Sequence, residues 1–222
     1  WVYALFPSHT VLPDGTPSPF ATYHEDLIAG AWAIRPGTRP HPFIAMWGRG
    51  FAKSAIAEMM TAAWGARRLR RYGWYVSGTQ PQADEHVSNV GALLEKSTVD
   101  AYYPEMGARA VGKYGAIKGW RRSRLRTAAG WTLDALGLDT GARGMRIEEN
   151  RPDFIILDDI DGESDTPATT AKKVRTITQK ILPAGSQDVA ILAVQNLVVE
   201  HGVFPQLANM TEEPAKWLTD RI

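Results

Sequence analysis

The sequence predicts an α/β fold in which a mainly parallel central sheet is covered by helices on both faces. Three observations carry that prediction. Short apolar runs recur at Pro42–Trp47, Trp74–Val76, Phe154–Leu157 and Val189–Val194. Segments with helical apolar spacing lie between them, and strands alternating with helices favour parallel pairing. With 44% apolar and 22% charged residues the chain has an ordinary globular composition, which excludes wholesale disorder and a coiled coil. Its 222 residues are enough to bury about 70–75% of the unfolded surface, so the core needs no covalent staples.

The first 40 residues are rich in proline and glycine, broken by one helical patch around Tyr23–Ile34, and read as a wrapping segment. Pro42–Trp47 is the first strand. A glycine-containing loop follows, then a helix over Ser54–Trp64 with Ile56, Met59, Met60 and Ala63 on one face. After the strand at Trp74–Val76, Pro81 opens a helix whose apolar face is Ala83, Val87, Val90 and Leu94. Residues 108–135 alternate and carry Gly112, Gly115, Gly119 and Gly130, predicting a β-hairpin or meander inserted into the α/β frame. Phe154–Leu157 is the third buried strand. Val174, Ile177 and Ile181 mark a helix stopped by Pro183 and Gly185, Val189–Val194 is the fourth strand, and a short helix lies near the end. Four or five strands in one unit predict a single domain over residues 1–222.

Composition narrows the chemistry. The absence of cysteine excludes a disulfide scaffold, a thiol nucleophile and cysteine-based metal sites. Lys plus Arg number 25 against 24 Asp plus Glu, so any nucleic-acid contact must come from local clusters. The longest apolar stretch, Val189–Val199, is interrupted by Gln195 and Asn196, so no membrane span is expected. A chain that begins at Trp1 with no signal-peptide pattern reads as an excised fragment. His9, His24, His41, His86 and His201 show no metal-ligand spacing, and the eight tryptophans read as core and loop anchors.

Two stretches carry chemistry. FIAMWGRGFAKS, Phe43–Ser54, is a strand–loop–helix in which backbone N–H groups and the helix dipole converge where a phosphate can sit. Lys53 stands where a lysine reaches terminal phosphates, and Ser54 where a hydroxyl ligates Mg²⁺. The pattern G-x-x-x-x-G-K-[ST] is broken at Trp47 and Ala52. Alanine at positive φ costs on the order of 1 kcal/mol, so the loop is expected to take a different path using Gly48 and Gly50. A solvated lysine on an ordinary turn is the bland reading. RPDFIILDDID, Arg151–Asp161, is an apolar strand ending in paired carboxylates. In nucleotide hydrolases a strand beside the loop ends in an Asp that holds the Mg²⁺ shell. Here Asp158 would serve the metal and Asp159 the attacking water, whereas a solvated acidic turn is the alternative.

With these two stretches in the right order, the sequence resembles the ATPase domain of the large terminase subunit of tailed bacteriophages, over nearly its whole length. GRGFAKS, with Arg49 in the loop, is similar to that family's first motif, and IILDDID to its second. PFATYHEDL, YVSGTQPQADEHV and GARG look like further family segments, while Asp159 stands where many relatives have Glu. The resemblance implies a P-loop NTPase of the ASCE type using ATP and Mg²⁺. It places Gly48, Gly50, Phe51, Ala52, Lys53 and Ser54 around the phosphates, and Ser54 and Asp158 on the metal. Asp159 becomes the general base, Arg49 the γ-phosphate contact in cis, and Arg143 an arginine finger in trans. Tyr23 and His24 fall at the adenine contacts and Gln195, with Asn196, at the coupling motif that senses the γ-phosphate. A packed N-terminal helix remains the alternative for Tyr23 and His24. Arg146, Arg151 or a surface ion pair remain alternatives to the Arg143 role.

The implied biology is translocation of double-stranded DNA into a procapsid in the host cytoplasm. The implied partners are a homo-oligomeric ring of this chain, a portal and a small terminase subunit, with no membrane. Arg67, Arg68, Arg70 and Arg71, and Arg121, Arg122, Arg124 and Arg126 with Trp120, are the candidate DNA contacts, since phosphate contact carries no sequence information. Solvated faces are the alternative for both clusters. The chain shows no acidic cluster of the family's C-terminal nuclease domain, so no DNA cleavage is expected of it. Two other functions stay open: a nucleotide-binding switch or structural module with little turnover, and a helicase-like translocase.

Overall fold

The computed structural model describes residues 1–12, 14–139, 150–196 and 202–208. Strand β1 (Phe43–Trp47) leads into helix α3 (Lys53–Ala66), and β2 (Tyr72–Ser77) into α4 (Gln80–Leu94). Before them lie α1 (Val2–Leu5) and α2 (Thr22–Trp32). After α4 come α5 (Ser97–Tyr102), α6 (Pro104–Gly107), β3 (Arg124–Arg126) and β4 (Thr132–Gly137). The chain continues through β5 (Phe154–Asp158), α7 (Pro167–Thr176), β6 (Ala190–Asn196) and α8 (Val203–Ala208). The six strands form one sheet in the order β1-β6-β5-β2-β4-β3. Every neighbouring pair is parallel except β3 with β4.

Each face of the sheet has its own core. Side chains of a strand alternate between faces, so Tyr75, Ile156, Leu192 and Val194 pack under α2, α3 and α4 with Leu27, Ile56, Met60 and Val87. Trp74, Val76, Ile155, Leu157 and Ile191 face the other way, against Val174, Ile177 and Phe204. Burial on both faces is why β2, β4 and β5 are buried at every position. The N-terminal segment is clamped to the first of these cores. Val2, Leu5 and Phe6 are buried there, and Thr98 Oγ1 donates to the Leu5 carbonyl at 2.6 Å.

Two departures from the sequence-based expectation stand out. The 108–135 stretch is not simply an inserted hairpin: β4 is a fifth parallel strand beside β2, and only β3 is its antiparallel edge. The apolar run of β4 is broken by Asp134, whose charge is buried against Arg124 and the Tyr72 hydroxyl. Such a residue hides a central strand from hydropathy. Second, α5 and α6 were not foreseen. The strand carrying the paired acids lies two places from β1, with β6 between them. Register compensates, because Ala45 aligns with Val194, and Val194 with Asp158, so the C-terminal ends of all three strands open at one edge. The helix around Ile177 passes through a π-helical turn at Ile177–Ile181 and stops at Pro183 and Gly185, as expected. Among the described residues no helix is long and apolar enough to cross a membrane.

Candidate active site

The loop from β1 to α3 is built by backbone conformation more than by side chains. Gly50 has φ +84°, and at Gly48 a Cβ would stand 2.9 Å from the Phe51 ring. The loop does not avoid the left-handed region at Ala52, as the sequence led us to expect. Ala52 itself has φ +53° and forms the N-cap of α3. The departure at Trp47 also has a local reason. Its ring meets Tyr23 at 4.8 Å and His24 at 5.5 Å between centroids, and Tyr23 lies 5.7 Å from Phe51. His24 Nδ1 accepts from the Ala21 N–H, and Nε2 donates to the Phe51 carbonyl at 2.9 Å, which fixes the ring's orientation. Tyr23 and His24 thus brace the outer side of the loop.

Lys53 opens α3 and is buried. Its ammonium donates to the Gly48 carbonyl at 2.7 Å and to Asn196 Oδ1 at 2.6 Å. Among the described residues it pairs with no carboxylate. Burial lowers its pKa, against the opposing pull of Asp158 and Asp159. Ser54, the next residue, donates to Asp158 Oδ1 at 3.0 Å, and Tyr75 donates to Asp158 Oδ2 at 2.7 Å. Asp158 is only 1% exposed, and burial pushes its pKa up to about 6 although His86, Tyr75 and Ser54 pull it down. Asp159 has φ +50°, and its Oδ2 accepts from Gln82 Nε2 at 3.2 Å. Arg49 is exposed at the rim, 3.4 Å from Glu163.

Lys53, Ser54, Asp158, Asp159 and Asn196, together with Arg49 and His86, line one polar cavity of about 210 Å³. The donor set fits a triphosphate and a hard cation. A buried ammonium lacking a carboxylate partner suits phosphate oxygens, and a hydroxyl beside a buried carboxylate supplies the oxygen ligands that Mg²⁺ prefers.

Gln195 is placed elsewhere. It is buried, and its Oε1 accepts from the Ile160 and Asp161 N–H groups at 2.7 and 3.1 Å, pinning the bend after Asp159. Successive residues of a strand point to opposite faces, so Asn196, and not Gln195, reaches Lys53 and the cavity. Arg143 lies outside the described residues, as does its rival Arg146; Arg151 donates to the Pro183 carbonyl. Most of the first basic cluster serves the fold. Arg70 is 1% exposed and donates to the carbonyls of Arg35, Leu69, Thr38 and Asp188. Arg67 stacks on Trp32, and Arg68 pairs with Glu105. In the second cluster Arg124 is tied to Asp134, while Arg121 and Arg122 are exposed at a tight turn. Sequence reasoning missed Tyr75, Gln82, Glu58 and His86. The spacing of Glu58 four residues after Ser54, on the same helix face, was the one available signal.

No protein-family model matches the sequence, and no curated protein matches it. Among solved structures the chain is similar to the large terminase ATPase domain of Thermus phage P74-26, at 19% identity and a TM-score of 0.49, covering 79% of this chain and 69% of that one. An arginine-to-alanine variant of the same domain aligns at 18% identity with a TM-score of 0.53, over 85% of this chain and 74% of that one. The Phi-28 gp11 DNA packaging motor aligns at 14% identity with a TM-score of 0.42, over 78% and 50% of the two chains. At such identities the likeness is one of fold, and the variant structure carries it: this chain has a mostly parallel α/β fold like that of a large terminase ATPase domain.

Proposed function

We propose that this chain is the ATP-hydrolysing motor domain of a DNA-packaging terminase, a P-loop NTPase of the ASCE type with its Walker A loop at Phe43–Ser54 and its Walker B strand at β5. One observation carries the reading: Ser54 on the phosphate-type loop and Asp158 on a strand two places away in the sheet meet at 3.0 Å beside Lys53. The assignment treats residues 1–222 as one ATPase unit.

In this reading the loop N–H groups and Lys53 bind and orient the β- and γ-phosphates. Ser54 and Asp158 hold Mg²⁺, which when bound neutralises charge on the phosphate oxygens. Asp159 stands at the cavity wall, positioned to orient a water and accept its proton. Arg49 reaches the γ-phosphate from the rim once released from Glu163, an exposed pair that contributes little. Asn196 links the end of β6 to Lys53 and takes the sensing role that the resemblance assigned to Gln195 with Asn196. Tyr23 and His24 offer the adenine side. Arg143 is proposed as the finger delivered to a neighbouring subunit in a ring at a portal, and Arg121 and Arg122 as sequence-independent contacts to double-stranded DNA.

The test is turnover of ATP by the wild type, Lys53→Ala and Asp159→Asn. Both substitutions are expected to abolish hydrolysis, with nucleotide binding kept in Asp159→Asn. Equal turnover in all three would reject the site. Mixing Arg143→Ala with Asp159→Asn subunits is expected to restore part of the activity, and no rescue in a mixture that assembles would reject the trans role.

A further inference from the structure

Behind Asp158 lies a polar cluster that the phosphate chemistry does not use. Glu58 of α3 is buried, and its Oε1 accepts from Asn89 Nδ2 at 3.0 Å and meets His86 Nδ1 at 2.7 Å. His86 and Asn89 stand three residues apart on α4, so both face α3. An apolar pair would join the two helices as well, at less desolvation cost. What the polar version adds is aim. With Glu58 Oε1 as the acceptor, Nδ1 carries the hydrogen and the ring plane is set by that bond. The ring stacks on Tyr75, with centroids 4.9 Å apart at an interplanar angle of 21°. Nε2 then points at Asp158 Oδ2 from 3.7 Å, and His86 forms part of the cavity wall.

The two stacked rings bear on the same carboxylate oxygen. The Tyr75 hydroxyl holds Oδ2 directly, while the imidazole, too distant for a direct hydrogen bond, limits how far the carboxylate can turn. Oδ1 is left on the Ser54 side, facing the cavity. We propose that His86, braced by Glu58 and Asn89, is a positioning residue for the divalent-cation site, holding Asp158 so that Oδ1 and the Ser54 hydroxyl meet the cation together. The inference rests on the nucleotide-and-cation reading of the cavity. Outer partners of metal ligands typically change metal affinity by about 10–100-fold when removed.

The test measures Mn²⁺ binding by electron paramagnetic resonance in the presence of ADP, alongside ADP binding without metal. In His86→Ala and Glu58→Leu, Mn²⁺ affinity is expected to fall by about 10-fold or more, with metal-free ADP affinity unchanged. His86→Gln, which can restore a polar group near the Nε2 position, is expected to recover most of the loss. Unchanged Mn²⁺ affinity in the alanine variant, or a matching loss of metal-free ADP binding, would overturn the positioning role. Should His86→Ala fail to fold, Glu58→Leu decides: it leaves the imidazole on Tyr75 without its brace, and wild-type Mn²⁺ affinity in it would equally refute the proposal. A wild-type chain that takes up neither ADP nor Mn²⁺ would instead reject the underlying reading of the cavity.

Discussion

Asp158 ends an apolar strand, fully enclosed, with Ser54 and Tyr75 donating to its two oxygens. Its carboxyl is raised from 3.8 to about 6, by burial first of all. The folded chain therefore holds this proton more tightly than the unfolded chain does. The contribution of Asp158 to stability is greatest below pH 3.8, declines as pH rises to about 6 and is level above, a change on the order of 3 kcal/mol. Melting curves of the metal-free protein between pH 4 and 7 are expected to show this decline in the wild type and to lose that component in Asp158→Asn. Parallel curves for the two would show that another group titrates. Asp153 and Asp161 are raised too, again chiefly by burial, so the difference between the two proteins is the informative quantity.

The β1–α3 loop is where local conformation and the proposed function meet. Ala52 occupies a left-handed conformation that glycine adopts without steric penalty. Ala52→Gly is expected to stabilise the protein by up to about 1 kcal/mol, read as a rise of roughly 2–4 °C in melting temperature for a domain of this size. No change or a fall would mean that the extra chain entropy of glycine outweighs the relieved strain. The loop was legible in the sequence because its glycines, lysine and serine are contiguous. Trp47 and Ala52 looked like defects there. The structure gives Trp47 a packing role against Tyr23 and His24, contacts made across chain separations that no spacing rule covers. Strand β4 was lost for the complementary reason: Asp134 looks like a surface residue until Arg124 and Tyr72 are brought to it.

Across the whole molecule, Arg70 shows how a basic cluster can serve architecture. Its guanidinium joins the carbonyls of Arg35 and Thr38 in the N-terminal region, Leu69 after α3 and Asp188 before β6. Burial lowers its pKa, with Asp153 and Asp188 opposing. Arg70→Met leaves those carbonyls without their donor and is expected to lose about 3 kcal/mol or more in urea unfolding. Arg71→Ala, at an exposed neighbour, is expected to stay within about 0.5 kcal/mol. Similar losses for both would remove the distinction drawn between them.

The sequence by itself determined the alternation of strands and helices, the glycine-containing β1–α3 loop and the acidic strand tip, because each is written in contiguous residues and short-range periodicity. Only the tertiary structure decided that β6 lies between β1 and β5, that Asn196 rather than Gln195 enters the cavity, and that Glu58, Tyr75 and His86 gather behind Asp158. Those outcomes depend on strand order, on register and on which face a side chain takes. A shift of a single residue inverts that face, and distant segments settle it together when they pack.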